Sequence, residues 1–144
     1  MTVHASYVRS LFANLEHGKS DAFFEHVADD VHWTVMGTHP LAGTYRTKSS
    51  FLAHTFARLN KILKEGVLLR VTDVLVDGDS AAVEMESLST ALDGKPFDNR
   101  YCWIVHFSNG TIVEVKAYLD SALVQRLIDE NEPSDSQQGQ KKNG

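Results

Sequence analysis

The stretch Phe97-Asp98-Asn99-Arg100-Tyr101-Cys102-Trp103-Ile104-Val105-His106-Phe107-Ser108-Asn109-Gly110-Thr111-Ile112-Val113-Glu114-Val115-Lys116-Ala117-Tyr118-Leu119 decides the fold. Both halves are rich in β-branched and aromatic residues, and Asn109-Gly110 between them is the strongest short hairpin signal in the chain. It reads as a long strand over residues 97–107, a tight turn, and a last strand over residues 111–119. On the first strand Phe97, Tyr101, Trp103, Val105 and Phe107 share one face, while Cys102 and Ile104 lie on the other. An antiparallel strand buried on one face only alternates more cleanly than this. The second face is therefore expected to pack too, either against a second copy in a homodimer formed through the outer sheet face or under the chain's own C-terminal segment.

Upstream of this hairpin, residues 67–76 read as a strand closed by Asp77-Gly78-Asp79, and residues 81–90 as a strand closed by Asp93-Gly94. Before residue 66 the period changes. Val8, Leu11, Phe12 and Leu15 fall at helical spacing within residues 3–17, and Gly18 supplies a stop. Ser20 can cap a short second helix through Ala22, Phe23, Phe24 and Val27, ended by Asp29 and Asp30. Residues 31–36 read as a strand with Trp33 and Val35 on one face, followed by a loop over residues 37–43. Thr47 can cap a third helix over residues 48–62, and Ser121 to Ile128 can form a closing helical turn. Helix, helix, strand, helix and then four strands joined by tight turns is an α+β layout: a curved antiparallel sheet packed on three N-terminal helices. From Asn131 onward the composition is polar and cannot bury apolar area, so one domain is expected over residues 1–130 and a disordered tail over residues 131–144.

Composition bounds the function. The chain has 144 residues, 42% hydrophobic and 23% charged, which suits one globular domain. A formal net charge of −5 without a basic stripe argues against nucleic-acid binding. No apolar run approaches the roughly 18 residues of a membrane span, and no signal peptide is visible near the start. The single cysteine, Cys102, permits no internal disulfide, so the expected location is the cytoplasm. His32, His39, His54 and His106 are scattered, and no metal-ligand spacing or glycine-rich phosphate loop occurs, so neither a metal nor a cofactor is expected.

Several short pieces carry a family resemblance. Ala28-Asp29-Asp30-Val31-His32-Trp33 leading to Gly37, then Pro40-Leu41-Ala42-Gly43, resembles the first strand and loop of SnoaL-like proteins of the nuclear transport factor 2-like superfamily. Asp93-Gly94-Lys95-Pro96, Asn99-Arg100-Tyr101 and His106-Phe107-Ser108-Asn109-Gly110 resemble that family's long hairpin, and Tyr118-Leu119-Asp120 its closing tripeptide. The resemblance covers roughly residues 5–128. It implies a cone-shaped fold around one apolar pocket and a range of activities that includes isomerases, polyketide cyclases, dehydratases (lyases) and epoxide hydrolases. Fold alone does not choose among them. The ketosteroid isomerase positions fall at Leu11, Val35 and Trp103, none of which can move the required proton, so that chemistry is rejected. Epoxide hydrolases of this kind use an arginine and two aspartates; Met85 and Ser87 stand at two of those positions, and only Asp120 is kept.

With Val35 and Trp103 facing inward, alternation brings Trp33, Tyr101, Val105, Val115, Ala117 and Leu119 to the same side, joined by Met85 and Ser87. Phe51 and His54 on the third helix would cover the opening. Such a cavity suits a small apolar molecule. His54 is a candidate proton shuttle or a rim histidine bonded to a neighbour. Asp120 is a candidate base or the N-cap of the segment that follows. Tyr101 and Asn99 are candidates to polarise a carbonyl, although a strand tyrosine commonly serves as packing. The expected function is a cofactor-independent acid–base enzyme acting on an apolar carbonyl compound by isomerisation, cyclisation or dehydration. The alternative is a non-catalytic binding or dimerisation module of the same fold.

Overall fold

The computed structural model describes residues 2–133. The elements run α1 (Ala5–Glu16), α2 (Ser20–Phe24), β1 (Val27–Val35), β2 (Gly43–Tyr45), α3 (Lys48–His54), α4 (Phe56–Asn60), β3 (Leu69–Asp77), β4 (Ser80–Ser87), β5 (Ser89–Thr90), β6 (Pro96–Phe97), β7 (Arg100–Ser108), β8 (Thr111–Leu119) and α5 (Ser121–Asn131). Six strands form one sheet in the order β2-β1-β8-β7-β4-β3, and β5 pairs with β6 in a small second sheet. The last four long strands are the expected antiparallel meander, while β1 joins β8 in parallel, so the first and last strands lie side by side mid-sheet. A parallel pair needs a long crossover, and the chain between β1 and β8 supplies it.

The hairpin turn is set by Asn109 at φ 52° and Gly110 at φ 81°, the left-handed pair that matches strand twist. Register then runs from Ser108 opposite Thr111 to Tyr101 opposite Leu119. A shift between His106 and Phe107 changes the phase of β8, so that Ile112 faces inward although Val115 and Ala117 do too. The inner face closes over α1, α2 and α3 in one core that includes Phe12, Phe23, Trp33, Phe51, Trp103 and Val105.

Several boundaries depart from the local pattern. Val27, Asp29 and Asp30 belong to β1 rather than to the end of α2, because the backbone of Ile112 reaches across to His26 and pulls the segment into the sheet. The helix expected over residues 48–62 begins at the Thr47 cap, whose Oγ1 accepts from the Ser50 N–H at 3.1 Å, but it breaks at Thr55 (φ −123°, ψ −79°). The Thr55 hydroxyl donates to the Phe51 carbonyl at 2.7 Å, the kind of local bond that bends a helix. The expected long strand over residues 97–107 is interrupted at Asp98 and Asn99, leaving Phe97 in β6 and Arg100 at the start of β7.

Helix α5 is three turns long and reaches Asn131, and the Glu132 carboxylate makes two bonds to the Arg58 guanidinium at 2.7 and 2.8 Å. Ordered structure thus passes the boundary placed at residue 130; residues 134–144 of the expected tail lie outside the described residues. With Leu59, Ile62, Leu63, Ala91 and Phe97, α5 builds a second apolar cluster. It does not cover the outer sheet face, where Ile104 is 43% and Tyr118 42% exposed.

Candidate functional site

A cavity of about 50 Å³ lies between the inner sheet face and the α3–α4 segment. Strand β1 contributes Trp33 and Val35, β7 contributes Tyr101 and Trp103, and β8 contributes Ala117 and Leu119. Phe51, Thr55, Phe56 and Leu59 cover it from the helical side, and Val124 of α5 closes one flank. Alternation places the sheet residues on one face, and the break at Thr55 lets both short helices point apolar side chains at the same space. Trp33 stacks on Phe51, with centroids 3.9 Å apart and planes at 19°, and meets Trp103 edge-on at 5.0 Å. The space holds a few water molecules at most and is well below the roughly 300 Å³ of an occupied small-molecule site, so a compound must part these walls to enter. The Arg58–Glu132 pair ties α4 to the end of α5 beside it.

Few polar groups reach this lining. Among the described residues the Tyr101 hydroxyl has no hydrogen-bond partner, and burial pushes its pKa up. The Trp33 indole Nε1–H is fully buried and also lacks a partner among the described residues. His39, 5% exposed, enters the lining from the loop between β1 and β2. Its Nδ1 accepts from the Leu41 N–H at 3.2 Å and its Nε2 donates to the Met36 carbonyl at 3.0 Å, which assigns a neutral ring. Burial lowers the His39 pKa against the smaller raising effect of the Met36 carbonyl. Gly37 lets this loop approach: a Cβ there would stand 2.2 Å from the Ser121 Oγ and 2.9 Å from the His39 ring.

The structure brings together Trp33, Val35, Phe51, Tyr101, Trp103 and Leu119 of the residues singled out in the sequence. It places the others elsewhere. His54 is exposed; its Nδ1 bonds the Ser50 carbonyl at 2.7 Å and its ring lies 5.8 Å from that of Tyr45. His54 follows Phe51 by three residues at the end of α3 and also neighbours Tyr45, but only Phe51 enters the cavity lining. Asp120 is exposed and accepts from the Ala122 and Leu123 N–H groups at 3.0 and 3.3 Å, so its carboxylate caps α5. The two proposed acid–base partners thus do not line the cavity. Asn99 is wholly buried, but its amide bonds the Asp120 carbonyl and the N–H groups of Asp120 and Arg100, clamping the start of β7 to the end of β8. Met85 is core opposite Tyr101, and Ser87 accepts from the Ser89 N–H at 3.3 Å.

Sequence reasoning passed over His39 as a cavity residue, along with Leu41, Thr55, Phe56, Leu59 and Val124. The segment 37–43 reads only as a loop, and Gly37 is the position where the structure shows close packing.

Comparison with known proteins agrees with this architecture. The dimerizing cyclase phiC of a fungal species (strain ATCC 74256) is 26% identical over 134 residues, covering 90% of this chain and 59% of that protein. The dimerizing cyclase tstC of Talaromyces stipitatus is 26% identical over 116 residues, covering 78% of this chain and 52% of that protein. The chain thus spans little more than half the length of these curated relatives. A crystallised NTF2-like protein from Burkholderia thailandensis superposes with a TM-score of 0.73 at 24% identity, over 85% of this chain and 95% of that one, and shares the fold. The SnoaL-like domain matches residues 8–115, which hold the helices before α5, most of the sheet and most of the cavity lining, and the chain belongs to the SnoaL-like domain family.

Proposed function

We propose that this chain binds an apolar carbonyl compound in the cavity and promotes a cyclase-type reaction on it by orientation and hydrogen bonding. The observation that carries this reading is the Tyr101 hydroxyl, which has no partner among the described residues, in a mostly apolar lining whose His39 and Thr55 are already hydrogen-bonded. A phenol with a raised pKa stays protonated and donates to a carbonyl oxygen, and the bond strengthens as negative charge develops there. The aromatic walls hold the compound in a reactive pose, which lowers the barrier to ring closure without an ionised side chain. The names of the two relatives support cyclase-type chemistry. The exposed His54 and the capping Asp120 weigh against a proton relay between them.

Calorimetric titration with 1-tetralone and with tetralin tests the site. Wild-type protein should bind the ketone more tightly, and Tyr101→Phe should reduce that preference by about five- to tenfold, the worth of one neutral hydrogen bond. Equal binding of the two compounds by wild-type protein would remove the hydroxyl from the reading and leave a purely apolar binding module.

The same reading includes a homodimer through the outer sheet face. Leu75, Ala82 and Ile104 stand opposite one another across β3, β4 and β7 and form an uncovered apolar row. Lys116 continues the row on β8 beside Ile104, and Glu84 lies beside the row two residues along β4 from Ala82.

A further inference from the structure

A compound must part the cavity walls to enter, and the walls are not all held alike. The sheet residues of the lining sit at one end of the sheet, where β1 and β8 finish with Val35, Ala117 and Leu119 and where β3 and β7 begin with Leu69 and Tyr101. Helix α5 leaves β8 at this end and brings Val124 to the lining, while α4 brings Leu59. Leu59 and Val124 belong to the same apolar cluster, so the seam between α4 and α5 leads inward to the cavity. The family match ends at residue 115, short of α5.

The two sides of this seam are fixed differently. The segment after α4 is stitched to its neighbours by backbone: the Lys64 N–H donates to the Thr90 carbonyl at 2.8 Å, and the Leu92 N–H to the Ile62 carbonyl at 3.1 Å. Past Asp120, α5 makes no backbone-to-backbone hydrogen bond outside itself among the described residues. It is held by the buried Val124, Leu127 and Ile128 and, at its far end, by polar side chains. Glu130 pairs with Lys95 at 3.1 Å, and the Asn131 Oδ1 accepts from the Asp93 N–H at 2.9 Å; both fasten α5 to the β5–β6 turn. The Glu132 carboxylate takes the two Arg58 bonds at 2.7 and 2.8 Å, and this pair crosses the seam. Its side chains are 34% and 26% exposed, so water reaches both when they separate. Asn99 holds the Asp120 backbone and fixes a pivot at the other end of α5.

We propose that α5 is the door of the cavity: it swings about Asp120, the Arg58–Glu132 pair latches it, and a compound enters between α4 and α5. This rests on the cavity being the ligand site. Opening breaks charge-assisted side-chain bonds that water replaces, and it leaves the sheet hydrogen bonds intact. The latch closes over the free and the occupied cavity alike. Weakening it therefore speeds entry and exit together and leaves affinity nearly unchanged.

The two tryptophans of the chain, Trp33 and Trp103, both line the cavity, so their fluorescence reports its filling. The full chain is mixed with excess 1-tetralone by stopped flow. Exchange too fast for mixing is read from the line shapes of the two indole N–H resonances in ¹⁵N-labelled protein. The wild-type rate should level off at high ligand, at a ceiling set by opening. Glu132→Gln should raise that ceiling and the dissociation rate by about fivefold each, with the Kd within about twofold of wild type. Asn131→Ala removes a side chain that bonds Asp93 rather than α4, and it should raise both rates by about twofold or more. A rate that stays linear in ligand, or rates unchanged in both variants, overturns the door and leaves the cavity as a binding site. Faster exchange in Glu132→Gln alone also overturns it, because α4 is then the part that moves. No fluorescence, line-shape or calorimetric response to 1-tetralone overturns the cavity reading together with the door.

Discussion

Asn99 and Asp120 show how one residue type can be read for chemistry and used for architecture. The Asn99 amide meets three backbone groups, and the Asp120 carboxylate meets two. Removing the first strands buried donors and an acceptor, while removing the second frees groups that water can reach. Asn99→Ala should therefore cost about 3 kcal/mol and Asp120→Ala about 1 kcal/mol, measured by denaturant unfolding. A catalytic base would behave otherwise, losing turnover with stability intact. His39 carries a second prediction at this scale. Its folded pKa lies below the ordinary 6.5, so the unfolded chain binds the proton more readily. Its contribution to stability is whole above pH 6.5 and is lost as pH falls through the lower folded value. His39→Asn keeps an acceptor for the N–H two residues on and does not titrate. Thermal unfolding across this range should slope with pH in the wild type and flatten in the variant, and identical slopes would refute the assignment. Glu65 and Glu132, both held below the ordinary carboxylate value of 4.5, act only at lower pH.

At the scale of elements, the informative feature is the helix that breaks. Helical spacing through residues 48–62 is genuine, and the Thr47 cap forms where the sequence places it. What ends the helix is the Thr55 hydroxyl on the Phe51 carbonyl, together with a cavity that both halves must face. Restoring one straight helix would turn Phe56 or Phe51 away from the space they share. Thr55→Ala removes the competing bond, and ketone binding should weaken about threefold or more by calorimetry because the cover no longer fits the aromatic wall; unchanged affinity would show that the cavity, rather than the hydroxyl, sets the break. The same economy of position explains α5. Its cap, its Val124 in the cavity and the Arg58–Glu132 pair make it part of the site rather than a trailing turn.

The whole molecule presents a sheet with one face filled and one face open. Leu75 at 66% exposure, with Ile104 and Tyr118, is apolar surface that the described chain leaves uncovered. Sedimentation analysis should find a dimer, and Ile104→Glu, which places a charge in the middle of the row, should shift it to monomer without lowering the affinity for 1-tetralone. A monomeric wild-type protein would leave this face unassigned.

Much of this architecture was legible from residues 97–119 alone, because strand period and turn chemistry are local properties: Asn109 and Gly110 take left-handed backbone wherever they occur in such a hairpin. The inward rank of Trp33, Val35, Tyr101, Trp103 and Leu119 followed from alternation once one inward residue was chosen. The role of Asn99 did not follow, since it depends on Asp120 arriving beside it across the sheet; His54, Asp120 and His39 bond groups close in sequence, and periodicity alone does not choose between those local bonds and a cavity role. Sequence by itself determined the α+β order, the meander and the apolar character of the cavity, through periodicity and burial preference. Only the tertiary structure decided that β1 runs parallel to β8, that Asn99 clamps β7 to β8, and that the Tyr101 hydroxyl finds no partner among the described residues, because these depend on contacts between residues far apart in sequence.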